Sequence, residues 1–450
     1  MIPLLAMFAF SAVPATAQDD PEIPYEKYEL DNGLDVILAP DTSTPIVYVS
    51  VWYHVGSKDE KKGLTGFAHL FEHLMFQGSL SVDGEYFGPL QEVGASINGT
   101  TSFDRTNYFE LLPAQHLPLA LFMESDRMGS LLPVLDEAKL NNQRDVVKNE
   151  RRQRYENPPY GEAYKDVMAN LYPEGHPYHH MPIGSHADLT AASLDDVKAF
   201  FNSWYLPNNA SLVIAGDFDP AVAKVLVVEN FAGIPKGPVG ERPSVTPVTL
   251  TEPLIVRQTE DVPEQRVWMA WHSPAFFADG DADLDLLSSV LSEGKESRLY
   301  QRLVKEKQIA KSIRASQSSG LYGSRYMITA TAAPGHTTDE IVAEVKSVID
   351  EVRSTAPPTA DEIAAGKAGY ERYFYESLLT IQGKGETLQR YNMYHGDPGY
   401  MGKDLARYRA VTPDSVKAWA DKTLTQPHFE LHISPGNDDT PAVATDGGAK

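Results

Sequence analysis

The 450-residue sequence contains no cysteine. That excludes disulfides, thiolate metal sites and a cysteine nucleophile, and it leaves histidine and carboxylates as the available metal ligands. Basic residues are few: 39 Lys and Arg stand against 62 Asp and Glu, for a formal net charge of −23. Such a surface lacks the positive footprint that nucleic-acid binding requires. Long apolar runs are missing too. The N-terminal one, Ile2 to Val13, is too short for a permanent anchor, and no later segment is long and apolar enough to span a bilayer. No Lys or Arg precedes that first run, which leaves the true start codon open.

What the N-terminus does carry is an address. Ala15-Thr16-Ala17 follows the apolar run in the small-x-small pattern of a signal-peptidase site. Residues 1–17 therefore read as a signal peptide, and the mature protein is expected to be exported, to the periplasm, with no membrane anchor after cleavage. Hydrophobic content of 42% and charged content of 22% describe an ordinary globular chain. Its length exceeds what one hydrophobic core usually organises, so two domains are expected.

"YEKYELDNGLDVILAP" and "IVYVSVWYHVGS" read as strands, with Asn32-Gly33 as a hairpin turn. Helical character follows from about 63 to 78, strand character in "GASINGTTSFDRTNYFELLP", helices from about 116 to 156 and 160 to 172, and a strand in "NASLVIAGDFD". Residues 233–253, crowded with Pro and Gly, break both periodicities and read as a linker. Beyond it the order repeats: strands around "RVWMAWHSPAF", a helix "DADLDLLSSVLSEG", strands around "GSRYMITATAA", then helices from about 338. The expected fold is α+β, with two related domains at 22–232 and 254–436, each a mostly antiparallel sheet packed with helices, and a disordered tail at 437–450. Matching Gly78 to Gly294 equates His69, Glu72 and His73 with Asp285, Ser288 and Ser289. Only the first half carries the polar trio.

His69 and His73 are four residues apart, one helical turn, so two imidazoles can reach the same ion. Glu72, offset around the helix, is close enough to reach a water on that ion. Leu70, Phe71, Leu74, Met75 and Phe76 border the motif and bury the helix on most sides, where an unpartnered carboxylate is costly. His-x-x-Glu-His is the inverted zinc-protease pattern. A catalytic zinc site needs a third protein ligand and an open position, and the stretch "DEAKLNNQRDVVKNERRQRYEN" offers Asp145, Glu150 and Glu156.

His69-Leu-Phe-Glu72-His73, with Glu150 lying 77 residues beyond His73, resembles the M16 metallopeptidases (pitrilysin, insulin-degrading enzyme, mitochondrial processing peptidase). "GASINGTTSFDRTNY", "RDVVKNERRQ", "HPYHHMPIGSHADL" and "FNSWYLPNNASLVIAGDFD" also read as family stretches. The resemblance covers nearly the whole mature chain and fits the branch with a single pair of repeats. It implies a zinc endopeptidase with one Zn2+ per chain on His69, His73 and Glu150, Glu72 as general base, and Asn98 contacting the backbone of a peptide substrate. It further implies a cleft that admits peptides and short unfolded segments, enclosed either by the two halves facing each other or by a second chain.

Two departures accompany the resemblance. Family members often carry a glutamate seven residues before the third ligand; here Gln143 stands there, an uncharged group that can still hydrogen-bond beside the ligands. In many relatives the inactive half also supplies an Arg and a Tyr, seven apart, that hold the substrate and polarise its scissile carbonyl. "LVKEKQIAKS" places Val304 and Lys311 at those positions. Either Arg302, Lys311 or a backbone group does that work in a self-sufficient enzyme, or a partner subunit of the same fold, without zinc ligands, brings the Arg and Tyr. The partner is the expected arrangement, a heterodimer, with a homodimer as its alternative. The rival function is a non-proteolytic assembly or peptide-binding subunit of the same fold; decay of the ligand triad would mark an assembly subunit, and the triad is complete. His176, His179, His180 and His186 read as a packed loop. Asp104 and Tyr108 read as supports of their strand, and "GKGE" at 383–386 lacks the spacing of a phosphate loop.

Overall fold

Side chains along Ile46–Tyr53 (β3) alternate between two cores. Val47, Val49 and Val51 join a cluster built largely with the helices of the first half, while Tyr48 enters another on the opposite face. This period of two is the geometry of a pleated strand. The computed structural model describes residue 20, residues 22–84 and residues 86–436. The leader expected over 1–17 and the tail expected over 437–450 lie outside the described residues.

β3 belongs to a six-stranded sheet with β1 (Glu26–Glu29), β2 (Asp35–Pro40), β4 (Ser96–Thr101), β5 (Thr106–Pro113) and β6 (Ala210–Gly216), in the order β1-β2-β6-β3-β5-β4. Asn32-Gly33 turns β1 into β2 as expected, with Gly33 at φ +85°. A second, five-stranded sheet contains β7 (Leu254–Glu260), β8 (Arg266–Ser273), β9 (Ala310–Ser318), β10 (Ser324–Ala332) and β11 (Phe429–Pro435), in the order β7-β11-β8-β10-β9. Apart from β1, the two orders coincide strand for strand. Each sheet has one parallel pair, β2 with β6 and β7 with β11, and is otherwise antiparallel. The chain between Phe231 and Leu254 forms neither helix nor strand.

Each sheet is covered on one face by a helix of the other half. Val167, Met168 and Leu171, on the helix Ala163–Leu171, share a core with Trp268, Ala270, Leu431 and Ile433 of the second sheet. Reciprocally, Ile381, Leu388 and Tyr391, on the helix Ile381–His395, pack on Ile37, Tyr48, Val213 and Ala215 of the first. The "GKGE" residues open that second helix, where Thr380 caps it by accepting the N–H of Gly383 at 3.0 Å. Gly385 lets it sit against the sheet, since a Cβ there would lie 2.4 Å from the Tyr48 ring. The Gln389 amide, fully buried, donates to the carbonyls of Ser50 and Ser211 at 3.0 Å each.

The helical stretch expected from about 116 to 156 is divided. Leu117–Ser130 ends before a short 3-10 turn at Leu132–Val134, where Pro133 offers no N–H. Asp136 then caps the helix Glu137–Arg151 by accepting the N–H of Lys139, and the chain continues as a π-helical segment over Arg152–Glu156.

Candidate metal centre

Phe67, Ala68, Leu70, Phe71 and Leu74 bury the helix Phe67–Leu74. Its remaining face, bearing His69, Glu72 and His73, turns toward the helix Glu137–Arg151 and the edge strand β4. Ligand-capable atoms of His69, His73 and Glu150 lie within 4.8 Å of one another. Glu150 Oε2 is 3.2 Å from His73 Nε2 and 3.8 Å from His69 Nε2. Asp145, on the same helix, is exposed, and Glu156 pairs with Arg151 and His186 instead.

Burial and the neighbouring His73 push the His69 imidazole down to about 4, so it is neutral at ordinary pH. The hydrogen bond with His73 holds the Glu150 carboxyl below its usual range. The group therefore presents a neutral imidazole and a carboxylate, with His73 beside them, around one point. Lone pairs converging in this way fit a divalent cation, and two imidazoles with one carboxylate are a donor set suited to catalytic zinc.

Glu72 is buried beside this point and accepts the Thr101 hydroxyl at 2.6 Å. Burial raises its carboxyl above the ordinary value, against the pull of that hydrogen bond. The three donors open into a cleft of about 460 Å³, whose lining includes Phe76, Phe87, Asn98, Gln143 and Arg154 as well as Glu72. Asn98 lies on β4, which pairs on one side only, with β5. Gln143, also buried, sits on the helix of Glu150.

Three residues of this cleft carry roles that the sequence reading missed. Gly99 lets the histidine helix approach β4: a Cβ there would lie 3.1 Å from the Phe76 ring and 3.2 Å from Glu72 Cγ. A glycine inside a strand is the signal that marks such an approach. Thr101 holds Glu72, and Arg154 Nη1 contacts Glu150 Oε1 at 2.9 Å.

Among the described residues, none of the second half lines the cleft. Because the halves also share cores, they are not two valves closing over it. Val304 packs against the core of the second half. Lys311 pairs with Glu264, and Arg302 with Glu351 at 3.0 Å. In that half the counterpart of the histidine helix, by its place between β8 and β9, is Asp281–Ser292. Both helices begin on a left-handed glycine, Gly66 at φ +89° and Gly280 at φ +90°. Gly78 and Gly294 are left-handed as well, but the second stretch is longer, so matching from the start equates the trio with Asp283, Leu286 and Leu287. Neither match restores a histidine.

The other singled-out residues lie elsewhere. His179 Nδ1 is 2.8 Å from the Tyr172 carbonyl, His180 meets Glu60, and His176 stacks on Tyr172. Asp104 accepts the Tyr178 hydroxyl at 2.7 Å, and Tyr108 is fully buried.

Comparison with known proteins gives two adjoining family matches. The model described as insulinase (peptidase family M16) matches residues 35–176, and that of the peptidase M16 inactive domain matches residues 191–370. The zinc protease PqqE of Helicobacter pylori is 33% identical over 293 residues, covering 64% of this chain and 65% of that protein. A solved protease from Helicobacter pylori superposes with a TM-score of 0.85 at 26% identity, over 92% of this chain and all of that one (100%). The first half of the periplasmic protease PqqL from Escherichia coli shares the fold, with a TM-score of 0.76 at 16% identity over 92% of each chain.

Proposed function

Since the chain belongs to peptidase family M16, we propose that it is a zinc-dependent endopeptidase of the inverted His-x-x-Glu-His type, cleaving peptides or short unfolded segments. The observation that carries this reading is the convergence of His69, His73 and Glu150 within 4.8 Å, beside the buried carboxyl of Glu72, in a cleft bordered by an edge strand. The same reading divides the chain into a catalytic domain at 22–232, a linker at 233–253 and an inactive domain at 254–436.

His69, His73 and Glu150 are the residues that would hold the ion, one Zn2+ per chain. Bound there, zinc supplies a Lewis acid that acidifies water and polarises a carbonyl. Glu72 acts as general base, taking the proton of the attacking water and passing it to the leaving amine. Thr101 orients that carboxylate through its hydroxyl. β4 offers its free edge to an extended peptide, and Asn98 contacts the substrate backbone there; pairing of this kind reads main chain more than sequence. Gln143 acts as an uncharged neighbour of the ligands.

Among the described residues no Arg/Tyr pair lines the cleft, and Arg302 and Lys311 are engaged with carboxylates. This supports a heterodimer whose second M16-fold subunit, without zinc ligands, supplies that pair. It also favours, as second reading, a non-proteolytic assembly or peptide-binding subunit. Among the described residues no helix is long and apolar enough to cross a membrane. With the Ala15-Thr16-Ala17 site and the periplasmic PqqL relative, this supports an exported, periplasmic protein.

Turnover of a quenched fluorescent oligopeptide separates the readings. The zinc-loaded wild type is expected to cleave it, with its partner or alone, and Glu72→Gln is expected to retain zinc without turnover. A wild type that binds zinc and peptide and never cleaves, in any assembly, would support the second reading.

A further inference from the structure

The helix carrying His69 and His73 has no side-chain cap, because the residue at its N-cap position is Gly66. The N–H groups of a helix's first turn need partners from elsewhere. Here one remote carboxylate takes two groups at this end. Glu60, its side chain wholly buried, accepts the N–H of Gly66 through Oε2 and that of Ala68 through Oε1, each at 2.8 Å. His180 Nε2 closes on Glu60 Oε2 at 2.9 Å.

The segment that brings His180 also grips this end of the helix directly. Asp188 Oδ2 accepts the Thr65 N–H at 3.1 Å and the Thr65 hydroxyl as well. The backbones of Gly66 and Gly184 touch, so that a Cβ on Gly184 would lie 2.3 Å from the Thr65 carbonyl oxygen. A few residues on, the same segment holds the helix that carries Glu150. Lys148 Nζ donates to Thr190 Oγ1 at 2.6 Å and Arg144 Nη2 to the Ala192 carbonyl at 2.5 Å, and in the segment just beyond that helix Glu156 Oε1 meets His186 Nε2 at 2.7 Å. Residues 180–192 thus tie the helix of the two histidines to the helix of the third ligand.

We propose that Glu60 and His180 are positioning residues, which lock the start of the histidine helix to this brace and so set the separation of His69 and His73 from Glu150. The inference rests on the reading that those three residues hold zinc. Neither Glu60 nor His180 lines the catalytic cleft, so both act only through the elements they tie. His69 directly follows the gripped Ala68 and His73 lies one turn further along the same helix, so releasing the grip loosens the geometry that the ion requires.

The test measures zinc affinity by competition with a chelator, and the visible absorption of the cobalt-substituted full chain, for wild type, Glu60→Ala, Glu60→Gln and His180→Gln. Urea unfolding of each metal-free protein controls for the fold. Loss of groups that orient metal ligands commonly weakens binding 10- to 100-fold, so Glu60→Ala is expected to lose about tenfold or more and to shift the cobalt bands. Glu60→Gln, which keeps the volume and one acceptor oxygen, recovers part of that loss. His180→Gln is expected to lose about threefold. Folded Glu60→Ala and His180→Gln proteins with wild-type affinity and an unchanged cobalt spectrum would overturn the positioning role alone. If Glu60→Ala does not fold, His180→Gln decides on the same criterion, its side chain being 21% exposed. A wild type that binds no zinc would overturn the zinc reading and this inference together.

Discussion

Glu72 and Glu150 share one cleft, yet their surroundings drive them in opposite directions. Burial raises the Glu72 carboxyl, whereas the hydrogen bond with His73 lowers that of Glu150. Two carboxyls separated in this way suit two roles, a proton carrier and a permanent ligand. Glu72→Gln is therefore expected to hold as much zinc as wild type after dialysis while turnover falls about 100- to 10,000-fold, the range of a lost general base. Glu150→Gln is expected to lose the metal itself, read as zinc content per chain. Equal zinc loss in both variants would contradict this division. The three candidate ligands were legible because two of them lie four apart on one helix and the family pattern points to the third at its distance. Glu60 and His180 were not, because their contact joins residues 120 apart in the chain and leaves no local spacing to read.

At the scale of elements, the repeat appeared in the sequence only as an order of strands and helices, and apart from β1 the sheets match strand for strand. The helix Asp281–Ser292 keeps the place of the histidine helix but fills it with carboxylates and apolar residues. Burial, with Asp281 nearby, pushes Asp285 up to about 7, although the Tyr408 hydroxyl donates to it at 2.5 Å. The folded chain thus keeps a proton that the unfolded chain releases near pH 3.8, the ordinary value for an aspartate. Folded protein binds more protons across that window, so this group's contribution to stability is fully present below it and is lost as pH rises toward 7. Asp285→Asn removes the dependence. Its unfolding free energy, from urea titrations, is expected to gain on wild type between pH 4 and pH 8, by on the order of 4 kcal/mol at most; a constant difference would contradict the assignment. Gly385 offers a second check. Gly385→Val drives a side chain into the Tyr48 ring and is expected to destabilise the chain by about 1–3 kcal/mol in urea unfolding.

Across the whole molecule, the interlock of the halves was the least legible feature. The helix Ile381–His395 carries an apolar face, but nothing in its sequence says which sheet that face will cover. Because it covers the first, residues 22–253 expressed alone would expose Tyr48, Val213 and Ala215. That fragment is expected to lack the cooperative unfolding and near-UV circular dichroism of the full chain, and to regain them when residues 254–436 are supplied. A natively folded fragment would contradict the shared core. The most direct test of the proposed activity is peptide turnover by the native assembly, captured through a tagged copy of this chain and reloaded with zinc, with a Glu72→Gln copy in parallel. The expected result is chelator-sensitive cleavage by the wild-type assembly and none by the variant at equal zinc content. Undiminished, chelator-sensitive cleavage by the Glu72→Gln assembly would contradict the assignment of this cleft as the site of catalysis.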